Sequence, residues 1–245
     1  MAAMRERMKM AQRMSRIKHK IVVMSGKGGV GKSSVAANLA CVLAESGPTG
    51  LVDADVTGPD IAKLMGVEDA QVKATDTGLE PTTGPAGVRV ISMAQMIDRD
   101  TAVVWRGPLK IKALKQMLSD VAVVVTTPQE VSLLDVRKSI AFARAVKMDI
   151  LGVIENMSGF VCPHCGKETA IFKVGGGEAA AEELGLPFLG RIPLDPRIVI
   201  GGDAGKPFVL EHPDSAAAQA FREIVKKLRP RLKETKPRPT GPLAK

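Results

Sequence analysis

Gly26-Lys27-Gly28-Gly29-Val30-Gly31-Lys32-Ser33 follows an apolar run, Ile21-Val22-Val23-Met24. It precedes Ser34-Val35-Ala36-Ala37-Asn38-Leu39-Ala40-Cys41-Val42-Leu43-Ala44, in which Val35, Leu39, Val42 and Leu43 recur at helical spacing. The order is strand, glycine loop, helix. The spacing fits G-x-x-x-x-G-K-[ST], a phosphate-binding loop, and each residue type has a mechanical reason. Glycines let successive backbone N–H groups curl around phosphates, and the helix N-terminus adds partial positive charge. Lys32 reaches the terminal phosphates and the Ser33 hydroxyl can ligate magnesium. Residues 26 to 34, namely Gly26, Lys27, Gly28, Gly29, Val30, Gly31, Lys32, Ser33 and Ser34, are therefore the candidate nucleotide contacts.

Two further carboxylates fall where such a loop needs them. A short strand, Gly50-Leu51-Val52, delivers Asp53-Ala54-Asp55-Val56-Thr57-Gly58-Pro59-Asp60. In open parallel sheets the ligand crevice lies at the strands' C-terminal ends. There one carboxylate can order the water shell of Mg2+ while the other orients an attacking water. The competing reading is a turn rich in Asp, Gly and Pro for local reasons alone.

Farther on, residues 67 to 87 read as a polar surface excursion, residues 88 to 93 as a strand, and Trp105-Arg106-Gly107-Pro108 as the opening of a helix to Leu118. Val121-Ala122-Val123-Val124-Val125 is β-branched and apolar throughout, the pattern of a strand buried on both faces. Thr127-Pro128-Gln129-Glu130 has the form of a capping box, predicting a helix from there to about Lys147. Residues 149 to 154 form the next strand and end at Glu155-Asn156-Met157-Ser158. Gly175-Gly176-Gly177 leads a helix, residues 187 to 192 a last strand, and residues 214 to 229 a closing helix. Alternating strands and helices predict an α/β fold: a mostly parallel central sheet with helices on both faces.

The 245 residues carry a net charge of +9, but residues 1–20 hold +6 and residues 226–245 hold +7, leaving about −4 for the body. The basicity belongs to the ends, either as solvated tails or as docking segments for acidic protein, RNA or anionic lipid. The expected organisation is a basic, Met-rich extension over 1–19, with Met1, Met4, Met8 and Ala11 on one helical face, an ATPase domain over 20–229, and a basic, Pro-rich tail over 230–245. No apolar run spans a bilayer, no signal-peptide pattern opens the chain, and three cysteines make no disulfide framework. A cytoplasmic protein is expected, without transmembrane segments and with no specific nucleic-acid partner.

Cys162-Pro163-His164-Cys165-Gly166 is a C-x-x-C knuckle. Tetrahedral zinc or an iron–sulphur cluster takes about four protein ligands. The chain has no second pair, and Cys41 reads as a small core residue of the first helix. Two subunits meeting across a twofold axis would supply four thiolates. A redox dithiol and a metal-free turn are the other readings. His164 reads as facing solvent.

With these pieces in place, the chain resembles the Mrp-type iron–sulphur carrier ATPases of the MinD/ParA class of deviant P-loop NTPases. The likeness runs from about Lys20 to Leu210. It rests on K-G-G-V-G-K-S in the loop, D-A-D-V-T-G-P-D at 53–60, W-R-G-P at 105–108, T-T-P-Q-E-V-S-L-L-D-V-R-K at 126–138, E-N-M-S at 155–158 and C-P-H-C-G at 162–166. The resemblance implies a homodimer in which Lys27 reaches the partner's nucleotide. It also implies that Asp53 supports the Mg2+ shell, Asp55 positions the attacking water and Asn156 contacts adenine. Lys27, Lys32 and Asp55 are thus the expected catalytic groups. Cys162 and Cys165 would hold a labile [4Fe-4S] cluster with their counterparts and pass it to apo iron–sulphur proteins. A zinc-stapled nucleotide-binding dimer, or a positioning ATPase that uses a basic end as its anchor, are the alternatives.

One departure stands out. Ahead of a strand like Val121 to Val125 the family carries another strand, ending in D-L-P-P-G-T-G-D, whereas here Ser119-Asp120 leads directly into it. Either a segment of roughly thirty residues is missing from this sequence, or the chain has lost a central strand. The first is favoured, because losing an interior strand exposes backbone groups that are costly to leave unpaired.

Overall fold

The computed structural model describes residues 12, 14–53, 55, 58–75, 78–95, 121–162 and 164–235. The predicted Met-rich face at 1–11, the helix opening at Trp105, the junction at Asp120 and the tail beyond 235 lie outside the described residues.

The main sheet is built on β7 (Val121–Thr126), every residue of which is buried. Its alternation supplies two cores. Val121, Val123 and Val125 enter the larger one with α1 (Lys32–Ala44) and α7 (Ala216–Glu234), while Val124 enters the smaller with Val136 and Ile140 of α3 (Glu130–Ala145) and Ala181 of α4 (Gly176–Glu183). Period-two side chains on a strand covered on both faces produce this division. β1 (Ile21–Met24) and β8 (Asp149–Val161) flank β7 in parallel, β10 (Phe188–Leu194) lies parallel beyond β8, and β9 (Glu168–Thr169) folds back antiparallel on the end of β8. Helices on both faces of a mostly parallel sheet are the predicted α/β architecture.

β2 (Gly50–Val52) does not join that sheet. It pairs in parallel with β6 (Arg89–Ile91), which β5 (Thr82–Thr83) borders on its other side. The excursion expected at 67–87 also holds a hairpin of β3 (Lys73–Thr75) and β4 (Gly78–Glu80). Short helices α2 (Ile61–Leu64) and α6 (Phe208–Glu211) pack against α1, and α5 (Pro196–Asp203) packs against both of them.

Three boundaries differ from the sequence reading. α3 starts at Glu130 with Gln129 as its cap, not at Thr127, because the Thr127 hydroxyl is engaged with the Ser132 hydroxyl at 2.8 Å. β8 runs on to Val161, since pairing with β10 continues to Phe160 opposite Leu194. α7 reaches Glu234 through Pro230, because Leu232 still buries itself on the core at 6% exposure.

Phe221 of α7 is 1% exposed in the larger core. Phe221→Ala is expected to cost about 3–5 kcal/mol of stability, read as a lowered midpoint in urea unfolding with an unchanged slope.

Candidate functional site

β1 and β7 end close to one another, and there the phosphate loop meets α3 and β8. β1 stops at Met24, opposite Val124 of β7, and the chain turns into the phosphate loop. Gly29 and Gly31 both have φ of 78°, a left-handed conformation that a side chain disfavours. At Gly31 a Cβ would also overlap the Asn156 amide, and at Gly26 it would strike the Asp135 backbone of α3. Gly26 permits close approach, and Gly31 close approach as well as curvature. Gly31 caps α1, whose first intrahelical bond runs from Val35 N–H to the Gly31 carbonyl at 2.9 Å. The N–H groups of Lys32, Ser33 and Ser34 therefore lie ahead of the helical ladder, available to an anion on the positive end of the helix.

Asn156 lies in the strand rather than after it, one step past Glu155, which pairs with Thr126 at the end of β7. Its side chain is 7% exposed, and its Nδ2 donates to the Val30 carbonyl at 2.9 Å. The Val30 carbonyl is thereby tethered to the sheet.

Asp53 is also buried. Its Oδ1 accepts from the Asp55 N–H at 3.0 Å, and its Oδ2 accepts from the Ile61 N–H at 3.1 Å and the Ser92 hydroxyl at 3.0 Å. Burial pushes its pKa up, while the three donors oppose that shift. Between the ordinary carboxylate pKa and this raised value, ionisation of Asp53 erodes stability as pH rises, a cost that a nearby cation would offset. Asp55 Oδ1 accepts from the Gly58 N–H at 3.4 Å.

β8 continues from Asn156 into a hairpin with β9 whose tip is the cysteine knuckle. Cys162 N–H donates to the Lys167 carbonyl at 3.0 Å and Gly166 N–H donates to the Cys162 carbonyl at 2.8 Å. The backbone N–H groups of His164 and Cys165, and the Cys165 thiol, are directed at the Cys162 sulphur and lower its pKa. Hydrogen bonds to a thiolate favour the form that binds metal. Cys162 is half-buried, while Cys165 and His164 are exposed. Cys41 is fully buried, and burial raises its pKa to about 11. Among the described residues no cluster of three or more His, Cys, Asp or Glu could hold a metal, so each chain presents two thiols only.

Sequence reasoning missed Glu155. Its carboxylate is wholly buried and accepts from the Ser158 hydroxyl and from the N–H groups of Gly175, at 2.9 Å, and Gly177. The Arg191 Nε lies 3.6 Å away. Glu155 thus closes the base of the excursion that carries the cysteines, clamping residue 155 to the start of α4. The triple glycine at 175–177 was the available signal, because such a run offers bare N–H groups to an anion. Ser92, wholly buried against Asp53, gave no comparable signal.

A strand, a left-handed glycine loop and a helix N-terminus at the carboxyl edge of a parallel sheet define a P-loop nucleotide-binding protein. The chain belongs to the ParA family described as NUBPL iron-transfer P-loop NTPase, which it matches over residues 16–123 and 120–229. It is 45% identical over 255 positions to the iron-sulfur cluster carrier protein of Saccharolobus solfataricus, covering 90% of this chain and 86% of that one. It is 44% identical over 254 positions to the protein of the same name from Methanocaldococcus jannaschii, covering 90% and 87%. In structure it is similar to a nucleotide-binding protein from Archaeoglobus fulgidus in complex with ADP, at 32% identity and TM-score 0.73 over 88% of this chain and 96% of that one. It is also similar to the cell division ATPase MinD of Pyrococcus furiosus, at 25% identity and TM-score 0.64 over 87% and 99%. Ninety percent of 245 residues is about 220, so about 34 positions of each carrier alignment have no residue here. The family match itself breaks at residues 120–123.

Two outcomes are expected of this site. Asn156→Ala leaves the Val30 carbonyl without its donor and is expected to lower stability by about 1–3 kcal/mol, with weaker binding of a fluorescent nucleotide. In timed alkylation of the folded protein across pH 6 to 9, Cys162 is expected to react at lower pH than an unperturbed thiol, and Cys41 to react only after denaturation.

Proposed function

We propose that this protein is an ATP-dependent carrier that holds a labile [4Fe-4S] cluster between two subunits as cargo and delivers it to apo-proteins. The observation that carries the reading is the half-site at the hairpin tip: two thiols on a turn whose N–H groups favour thiolate, with no further ligand beside them among the described residues. A second copy related by a twofold axis completes four ligands. Exposed apolar side chains flank the hairpin, Val161, Ile171 and Val174, and the Lys173–Glu130 ion pair links it to α3, where Val131 and Leu134 are also exposed. Such a surface suits burial against an identical partner. The names of the curated relatives support the cargo.

In this reading the N–H groups of residues 28–34 and the Lys32 ammonium would hold the triphosphate, and the Ser33 hydroxyl, supported by the Asp53 carboxylate, would hold Mg2+, which would supply positive charge to the terminal phosphates. Asp55 orients the attacking water, Lys27 reaches across to the partner's phosphates, and Asn156 borders the adenine. Hydrolysis is slow, and it serves to change subunit geometry and thereby the hold of four thiolates on the cluster. The protein works in the cytoplasm.

Anaerobic reconstitution with iron and sulphide tests the proposal. One cluster per two chains is expected, with its visible absorbance lost in Cys162→Ser and in Cys165→Ser. Zinc alone in anaerobically purified protein, with no cluster formed on reconstitution, overturns the carrier reading and leaves a zinc-stapled dimer. Separately, Lys32→Ala is expected to weaken ATP binding about 10- to 100-fold, measured by calorimetry, while the cysteine pair still accepts a cluster.

A further inference from the structure

β8 is irregular just past Asn156. Opposite it β10 advances two residues, from Ile192 to Leu194, while β8 advances four, from Asn156 to Phe160. The extra length forms a bulge with two left-handed positions, Met157 at φ 57° and Gly159 at φ 76°. Gly159 is the residue type such a backbone favours, and a Cβ there would meet Glu168 Oε1 at 2.8 Å. Met157 is not. A long side chain in this region carries conformational strain that glycine would avoid. Among the described residues three other non-glycine positions have positive φ. Ala86 lies in the turn at 85–87, Lys147 closes α3 where helices commonly end left-handed, and Lys173 lies on the return of the cysteine hairpin. Of the four, only Met157 lies within a strand.

The side chain shows what that backbone accomplishes. The Met157 Cε lies 3.6 Å from where a Cβ on Gly31 would stand, on the same side as the Asn156 amide. Met157 thus backs the Gly31 Cα while Asn156 holds the carbonyl of Val30. Gly31 is the cap of α1, and the N–H groups of Lys32, Ser33 and Ser34 follow it directly. In a regular strand neighbouring side chains point to opposite faces, so Asn156 and Met157 would not both reach the loop. The left-handed residue brings them to the same side. One then grips the loop by a hydrogen bond and the other by a thioether whose rotatable bonds fit it to an irregular surface.

We propose that Met157 is a nucleotide-positioning residue: the left-handed backbone at 157 lays its side chain on Gly31, behind the phosphate-binding N–H groups, and holds the loop in its binding shape. A loop already in shape loses less affinity to ordering when the anion arrives. Met157 acts through Gly31 and not by touching the nucleotide. The inference rests on nucleotide binding at that loop and stands whatever the cysteines carry.

Calorimetric binding of ATP and ADP, together with urea unfolding, tests it on the unsubstituted chain, Met157→Gly and Met157→Leu. Glycine relieves the backbone and removes the contact, whereas leucine keeps both the strain and most of the volume. If the binding-competent form of the loop falls to about a tenth, apparent affinity falls about tenfold. That loss is expected in Met157→Gly, with a urea midpoint equal to or above that of the unsubstituted chain. Met157→Leu is expected to bind within about twofold of the unsubstituted chain. Undiminished binding by Met157→Gly overturns the proposal. So does weaker binding that comes with a lowered midpoint or a failure to fold, which makes Met157 a packing residue only. A Met157→Leu chain that binds no better than Met157→Gly overturns it as well. If the unsubstituted chain binds neither ATP nor ADP, the nucleotide reading falls and this inference with it; binding that is indifferent to residue 157 overturns this inference alone.

Discussion

The first N–H groups of a helix have no acceptor within that helix, and everything distinctive about this protein follows from where α1 directs its own. They open onto a loop that only glycine can curve, at the edge where parallel strands end. One buried polar contact fixes that loop against the sheet, the Asn156 amide on the Val30 carbonyl; one residue earlier in β8, the Glu155 carboxylate holds the start of α4 through the backbone of Gly175 and Gly177. An anion-binding surface made of backbone is useful only if it is already in shape when the anion arrives, and the Asn156 contact supplies the shape.

The apolar framework behind the loop is divided by β7 into unequal parts. The larger core joins α1 to α7, so the helix that presents the N–H groups rests on Phe221, Ile224 and Leu228. The smaller, around Val136, Ile140 and Val153, seats α3 against β7 and α4. α3 is the helix whose backbone at Asp135 comes close enough to Gly26 to exclude a side chain. Packing on both faces of the sheet therefore converges on the phosphate loop.

What could be read from the sequence was what depends on neighbours in the chain. The loop's spacing, the β-branched run at Val121, the buried Cys41 and the C-x-x-C turn all declare themselves within a dozen residues. The cap of α3 was misread because the Thr127 hydroxyl finds Ser132 instead of the helix N-terminus, and both choices are local. Asn156 was expected at a strand's end, yet it sits inside β8, since β10 continues the pairing to Phe160, a contact from more than thirty residues away. Glu155 was invisible for the same reason: its partners lie twenty residues on. The separation of β2 from β1 belongs to the same class, because sheet membership is a long-range property that a short apolar triplet cannot encode.

β8 is thirteen residues long and holds Asn156 near its middle and the knuckle just past its end. At about 3.3 Å per residue, the tether on the phosphate loop and the first thiol lie at most roughly 20 Å apart along one strand. Between them the strand is irregular, with Met157 at φ 57° and Gly159 at φ 76°, while Glu155 anchors the stretch just before Asn156. The tether of the phosphate loop and the cysteine knuckle thus belong to one continuous stretch of backbone.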